Sequence, residues 1–213
     1  MSRRTVFAVP APQLWVVRHG ETEWSATGRH TGRSDIPLTE LGRDHARRLA
    51  PILNDHEFAL VLTSPLQRAR ETCALAGLGD HAVADPDLQE WDYGDYDGIT
   101  TAQIHDQRPD WSLWRDGCPH GETAADVGQR ADRVITRVRA GAGDAVAFAH
   151  GHLLRVLAAR WVGLPPSDGA LFGLDTASVS TLGWEREQAV VRLWNLTAEQ
   201  SRAGGRMGGS GRA

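Results

Sequence analysis

Apolar positions fall along the chain in two rhythms. Leu14-Trp15-Val16-Val17, Phe58-Ala59-Leu60-Val61-Leu62-Thr63 and Asp144-Ala145-Val146-Ala147-Phe148-Ala149 are short, near-continuous apolar runs. Runs of that length predict strands covered on both faces. Elsewhere the apolar spacing changes to three and four. Thr39 caps a predicted helix to about residue 54, with Leu41, Ala46, Leu49, Ala50 and Leu53 on one face. Ser64-Pro65 reads as the N-cap and first residue of a second helix, to about residue 76. Residues 122–140 predict a long amphipathic helix with Val127, Ala131, Val134, Ile135 and Val138 inward, and residues 153–162 another. A weak strand is expected near 81–84, and a closing pair over 178–183 and 190–196 around Glu185-Arg186-Glu187-Gln188. Residues 20–38 are a long polar loop, and 86–121 a Trp-, Asp- and Gly-rich stretch with only short helical pieces. Strand–helix alternation predicts an α/β fold: three layers, α/β/α, with a mostly parallel sheet between helices on both faces.

At 213 residues the chain suits one sizeable core, so a single domain is expected over 1–198. The glycine-rich remainder, 199–213, reads as a flexible tail. The formal net charge of -4 gives no global attraction to nucleic acid or anionic lipid, so any anion site must be local. Two cysteines, Cys73 and Cys118, are too few for a disulfide framework, and a reducing cytoplasm is the expected compartment. Residues 1–13 carry Arg3 and Arg4, but Pro10 and Pro12 interrupt their one apolar run, and no secretory signal is read there. No window approaches the roughly 20 apolar residues of a membrane span.

The ends of the three strong strands carry the candidate chemistry. The first runs into Arg18-His19-Gly20, the second into Thr63-Ser64-Pro65 with Arg68 and Arg70 just beyond, the third into His150-Gly151-His152. Ligands of open α/β sheets bind outside the carboxyl ends of strands, where helix N-termini aim amides at anions. Arginine offers phosphate a fork of donors, glycine lets backbone amides approach, and histidine can be base, nucleophile or metal ligand. Two histidines and two arginines at that edge predict a phosphate pocket.

Four blocks, in order, resemble the histidine phosphatase superfamily, which includes the phosphoglycerate mutases. They are Arg18-His19-Gly20-Glu21-Thr22-Glu23-Trp24, Ser64-Pro65-Leu66-Gln67-Arg68-Ala69-Arg70-Glu71-Thr72, Glu90-Trp91-Asp92-Tyr93-Gly94-Asp95-Tyr96-Asp97-Gly98 and Ala149-His150-Gly151-His152. The stretch Trp111-Ser112-Leu113-Trp114-Arg115-Asp116-Gly117-Cys118, followed by Gly121-Glu122-Thr123, is similar to a subgroup of actinobacterial acid phosphatases and fungal sedoheptulose-1,7-bisphosphatases. The resemblance implies that His19 attacks phosphorus and becomes phosphohistidine. It implies that Arg18, Arg68 and His150 hold the phosphoryl oxygens, and that Glu90, flanked by Leu88 and Trp91, protonates the leaving oxygen and then activates water. Trp24, Ser25, Thr31, Gly32, Tyr93, Arg115, Glu122 and Gly151 are the implied substrate-binding residues. The implied partner is a small phosphate ester, a sugar phosphate first, with no cofactor or metal and no nucleic acid or membrane. A homodimer stays open.

Other readings stand beside these. His150 and His152 could pair on a metal, but no third ligand stands at zinc spacing. His120-Gly121-Glu122-Thr123 repeats the letters of His19-Gly20-Glu21-Thr22 without the strand or arginine, and reads as a helix start with Glu122 at the pocket rim. Trp91, Trp111 and Trp114 either line the substrate site or pack an irregular insertion. Arg70 is expected at the surface. The mutases carry asparagine where Ser25 stands and a longer segment between the counterparts of Glu90 and His150. A shorter cover favours hydrolysis over retention of a phosphorylated intermediate. A mutase and a non-catalytic binder on the same fold are the alternatives.

Overall fold

Alternation along the strands decides the layering. The structure, a computed structural model, describes residues 11–200. In it Leu14 and Val16, Leu62, and Ala145, Ala147 and Ala149 face one apolar cluster, while Val17, Val61, Val146 and Phe148 face another. The strands are β1 (Leu14–Arg18), β2 (Leu60–Thr63), β3 (Ala82–Ala84), β4 (Ala145–Ala149), β5 (Ser178–Glu185) and β6 (Gln188–Thr197). The helices are α1 (Glu23–Ala26), α2 (Glu40–Arg47), α3 (Ala50–Leu53), α4 (Gln67–Leu75), α5 (Thr101–His105), α6 (Leu113–Asp116), α7 (Ala124–Arg139) and α8 (Gly151–Trp161). The first cluster packs against α7 and α8, the second against α3 and α4, which gives helices on both faces. The sheet order is β3-β2-β4-β1-β5-β6. β3, β2, β4 and β1 run parallel, and β5 and β6 add an antiparallel edge.

The five inward residues expected of α7 are all buried, and Thr123 caps the helix through Asp126. Full burial of such aliphatic side chains contributes roughly 1.5–3 kcal/mol each. Other boundaries moved. The helix expected over 39–54 starts on Thr39, but breaks into α2 and α3 because Pro51 has no amide hydrogen for the Arg47 carbonyl. Leu41 is 50% exposed; five residues from Ala46, it lies about 140° round the helix. The second strand starts at Leu60, and Phe58 instead packs its ring on Trp15 and His56. Ser64 does not cap a helix: α4 begins at Gln67 after an extended Leu66. The loop over 20–38 contains α1, closed by a reciprocal Thr22–Ser25 capping box. Residues 198–200 are helical, and Gln200 is hydrogen-bonded to Thr197. The rest of the expected tail, and Arg3 with Arg4, lie outside the described residues. Among the described residues no helix is long and apolar enough to cross a membrane.

The turn after β1 is clamped by close backbone contact. A Cβ on Gly42 would lie 2.2 Å from the Glu21 carbonyl oxygen, and one on Gly20 2.5 Å from the Gly42 carbonyl oxygen. Helix propensity favours alanine over glycine by about 1 kcal/mol, but here neither backbone can yield. Gly42→Ala is therefore expected to destabilise the protein by roughly 1–3 kcal/mol, the usual cost of overpacking. Thermal melting should show a midpoint lower by several degrees; an unchanged midpoint would contradict the clamp.

Candidate active site

β1 and β4 lie side by side and in register, with Arg18 opposite Ala149 and the His19 N–H donating to the Ala149 carbonyl at 3.0 Å. That pairing delivers His19 and His150 to the same edge, their rings edge to face with centroids 5.1 Å apart. Both are buried. His19 Nδ1 lies 2.7 Å from the Gly20 carbonyl, which only accepts, so Nδ1 carries the proton and Nε2 is bare. Burial, then the cations of Arg68 and Arg18, hold its pKa well below the ordinary imidazole value. His19 is neutral.

His150 is the N-cap of α8, which starts two residues earlier than the apolar spacing suggests. Its Nδ1 accepts from Arg68 Nε at 3.1 Å, so its Nε2–H donates to Ser64 Oγ at 2.8 Å. Burial and the Arg68 cation keep it neutral too. Arg68 is fully enclosed. Besides His150 it donates to the carbonyls of Ser34, Thr31 and Gly32 at 2.9–3.1 Å. Asp97 grips the same loop from the other side, accepting from Gly32 N–H and from Ser34 N–H and Oγ.

A cavity of about 260 Å³ opens at this edge. Of the residues singled out in the sequence, His19, Arg18, Glu90, Tyr93, Gly151, Ser25 and Thr31 line it. Arg18 reaches in from the end of β1, and a Cβ on Gly151 would sit 3.3 Å from its guanidinium carbon. One Arg18 nitrogen donates to the Leu174 carbonyl. Its Nε is buried with no partner; among the described residues only Trp15 Nε1 shares that condition. Arg18 thus brings a guanidinium with an uncommitted donor to the same cavity as the bare imidazole nitrogen of His19, a pairing with the chemistry to hold an anionic oxygen.

Glu90 sits at the start of α8. Its Oε1 accepts the amides of Trp91 and Leu153, both at 2.9 Å, and Oε2 accepts the His152 amide at 3.1 Å. A carboxyl group has about four acceptor positions, so one on Oε2 stays free. The sequence placed Glu90 between Leu88 and Trp91; the amide cradle comes from α8 and is visible only in three dimensions.

Several expected residues lie elsewhere or have their polar groups already engaged. Glu122 is spent on Arg130 and on the Asp92 amide, away from the cavity lining, and Thr123 beside it starts α7. Arg115 is exposed and paired with Asp116. The Ser25 hydroxyl is taken up by the Thr22 capping box and donates to the Thr22 carbonyl. Trp24 is outside the lining and abuts Gly98. Gly32 is behind the wall; a Cβ there would lie 2.8 Å from the Trp91 carbonyl oxygen. Trp91 and Trp111 are buried packing, their indole N–H groups donated to the Glu122 and Gly117 carbonyls. Trp114 carries the Arg155 guanidinium 4.6 Å above its ring. Arg70 is exposed and borders a separate groove between α4 and β3. Cys73 and Cys118 are buried, which pushes both thiols up to about 12. Arg29, His30, His152 and Arg155 line the cavity without having been singled out as substrate-binding. Arg155 had a signal, since it falls one turn after Gly151 on the same helix face; Arg29 and His30 had none.

The order of strands, the two helical layers and an arginine-lined cavity over the carboxyl ends of β1 and β4 define an α/β protein with a strand-end pocket. Residues 14–197 match the histidine phosphatase superfamily (branch 1), and the chain belongs to that superfamily. It is 41% identical over 188 residues to an acid phosphatase of Mycobacterium tuberculosis, covering 85% of this chain and 92% of the relative. It is 39% identical over 186 residues to sedoheptulose 1,7-bisphosphatase of Saccharomyces cerevisiae, covering 72% and 68%. The solved structure of a Mycobacterium tuberculosis open reading frame product superposes with a TM-score of 0.81 at 38% identity, over 88% of this chain and 98% of that one.

Proposed function

We propose that this protein is a phosphatase that hydrolyses small phosphate monoesters, sugar phosphates among them, through a phosphohistidine at His19. The observation that carries the reading is the pairing, in one cavity, of a neutral imidazole with bare Nε2 and the guanidinium of Arg18, whose Nε has no partner. Relatives named for the dephosphorylation of sugar or glycerate phosphates support the substrate class. In the first step Nε2 attacks phosphorus, the ester P–O bond breaks, and the leaving oxygen takes a proton from the free position on Glu90 Oε2. In the second, Glu90 removes a proton from water, the water oxygen attacks phosphorus, and the N–P bond breaks to release phosphate and restore His19. Arg18 holds an equatorial oxygen and offsets charge as it develops. Arg68 supplies charge from behind His150, and its bonds to Thr31, Gly32 and Ser34 set the adjoining loop.

Phosphate release measured over a panel of phosphorylated metabolites tests the reading. Sugar phosphates should be hydrolysed, and the rate should persist in EDTA because guanidinium groups provide the positive charge at the site. Loss of activity on chelation, restored by a divalent cation, would count against it. Conversion of 3-phosphoglycerate only with bisphosphoglycerate present, without release of phosphate, would instead indicate a mutase.

A further inference from the structure

His152 presents its backbone and its side chain to two neighbouring parts of the cavity. Its amide donates to Glu90 Oε2, the carboxyl oxygen that the proposed function places against the leaving oxygen. The side chain of the same residue lines the cavity and so borders the space that the rest of the leaving group would occupy. The ring is held from one side. Its Nδ1 lies 2.5 Å from the Tyr93 hydroxyl, which has no other hydrogen-bond partner among the described residues. The phenol proton therefore points to Nδ1, and the imidazole proton resides on Nε2.

Two further observations support that arrangement. Burial raises the Tyr93 phenol well above its ordinary value, and burial with the cation of Arg155 keeps His152 well below its own. Tyr93 stays a donor and His152 stays neutral, with one N–H. That Nε2–H has no hydrogen-bond partner among the described residues, and it is not one of their fully buried unpartnered polar atoms, which are Arg18 Nε and Trp15 Nε1. With His152 in the cavity lining, this N–H is within reach of a group bound there. A neutral, orientationally fixed N–H there suits an uncharged oxygen.

We propose that His152, locked in one tautomer by Tyr93, donates a hydrogen bond from Nε2–H to a hydroxyl group of the leaving alcohol next to the ester oxygen. This specificity element rests on the phosphatase reading and narrows its substrates to polyhydroxylated phosphate esters over plain alkyl ones.

Glycerol 1-phosphate and propyl phosphate, which differ only in hydroxyl groups, test it. The native enzyme should favour the first in kcat/KM by about tenfold or more, the usual worth of one well-placed hydrogen bond. His152→Ala should bring that ratio close to one. Tyr93→Phe, which unlocks the tautomer, should lower it in the same direction, and His152→Gln, which keeps a donor, should retain most of it. If His152→Ala does not fold, the other two variants decide. Equal losses on both esters with the ratio unchanged, or a native ratio near one, would overturn the proposal. Calorimetry with the non-hydrolysable phosphonate analogues of the pair reads the same ratio as affinities. Inactivity of the native protein on both esters would thus fall on the phosphatase reading alone, while the affinity ratio would still decide on His152.

Discussion

His19→Ala is expected to lower turnover of every phosphate ester by about 10⁴-fold or more, the scale on which loss of a covalent nucleophile is felt. The physical ground is the single tautomer. With Nδ1–H given to the Gly20 carbonyl, the lone pair on Nε2 has no competing proton. Brief mixing of the native enzyme with labelled substrate should leave phosphate on the protein that is labile in acid and stable in base, and the alanine variant should carry none. Undiminished turnover by the variant would end the nucleophile assignment. The same environment fixes a pH expectation. Because burial and two arginines depress the His19 pKa, its nucleophilic form survives well below pH 6.5, and phosphorylation should not fade as the pH drops through that value. Stability will move there. His19, His150 and His152 all have pKa values lowered by folding. Below about pH 6.5 the unfolded chain takes up protons that the folded one refuses, so stability falls as pH falls. Circular dichroism at each pH separates that loss from a loss of chemistry.

Glu90→Gln is expected to slow phosphorylation by esters with poor leaving groups, such as sugar phosphates, by about 10²-fold or more, a usual scale for general acid catalysis. Glutamine keeps a carbonyl for the Trp91 and Leu153 amides, but sets an N–H against the His152 amide and delivers no proton. p-Nitrophenyl phosphate, whose leaving group needs little protonation, should lose less in that step. The comparison must follow phosphohistidine formation by rapid quench, because Glu90 also activates water in the second step. Equal losses with both esters would make Glu90 a positioning group. Glu122 could not then replace it as the acid, since both its oxygens are bound to Arg130 or to the Asp92 amide.

Strands and layers were legible in the sequence because burial on two faces leaves an unbroken apolar signature. Val16 and Val17, or Ala147 and Phe148, face opposite helical layers, so no polar residue fits between them. The residues at the strand ends were legible for a related reason: a histidine or arginine directly after such a run must emerge at the carboxyl edge of the sheet, and Arg18, His19 and His150 do. What those side chains bind was not legible. Arg68 reads from the sequence as a phosphate ligand, and four of its five N–H donors go to His150 and to the carbonyls of Thr31, Gly32 and Ser34, partners more than thirty residues away along the chain that its local sequence does not announce. Glu122 and Arg115 matched their blocks, but an ion pair closer at hand claimed each of them. His30, His152 and Arg155 became cavity walls only when the loop before α2 and the start of α8 met. Hydrophobic burial is read one residue at a time, so local sequence determined the sheet. A hydrogen bond needs both partners in place, so the tertiary structure decided the pocket.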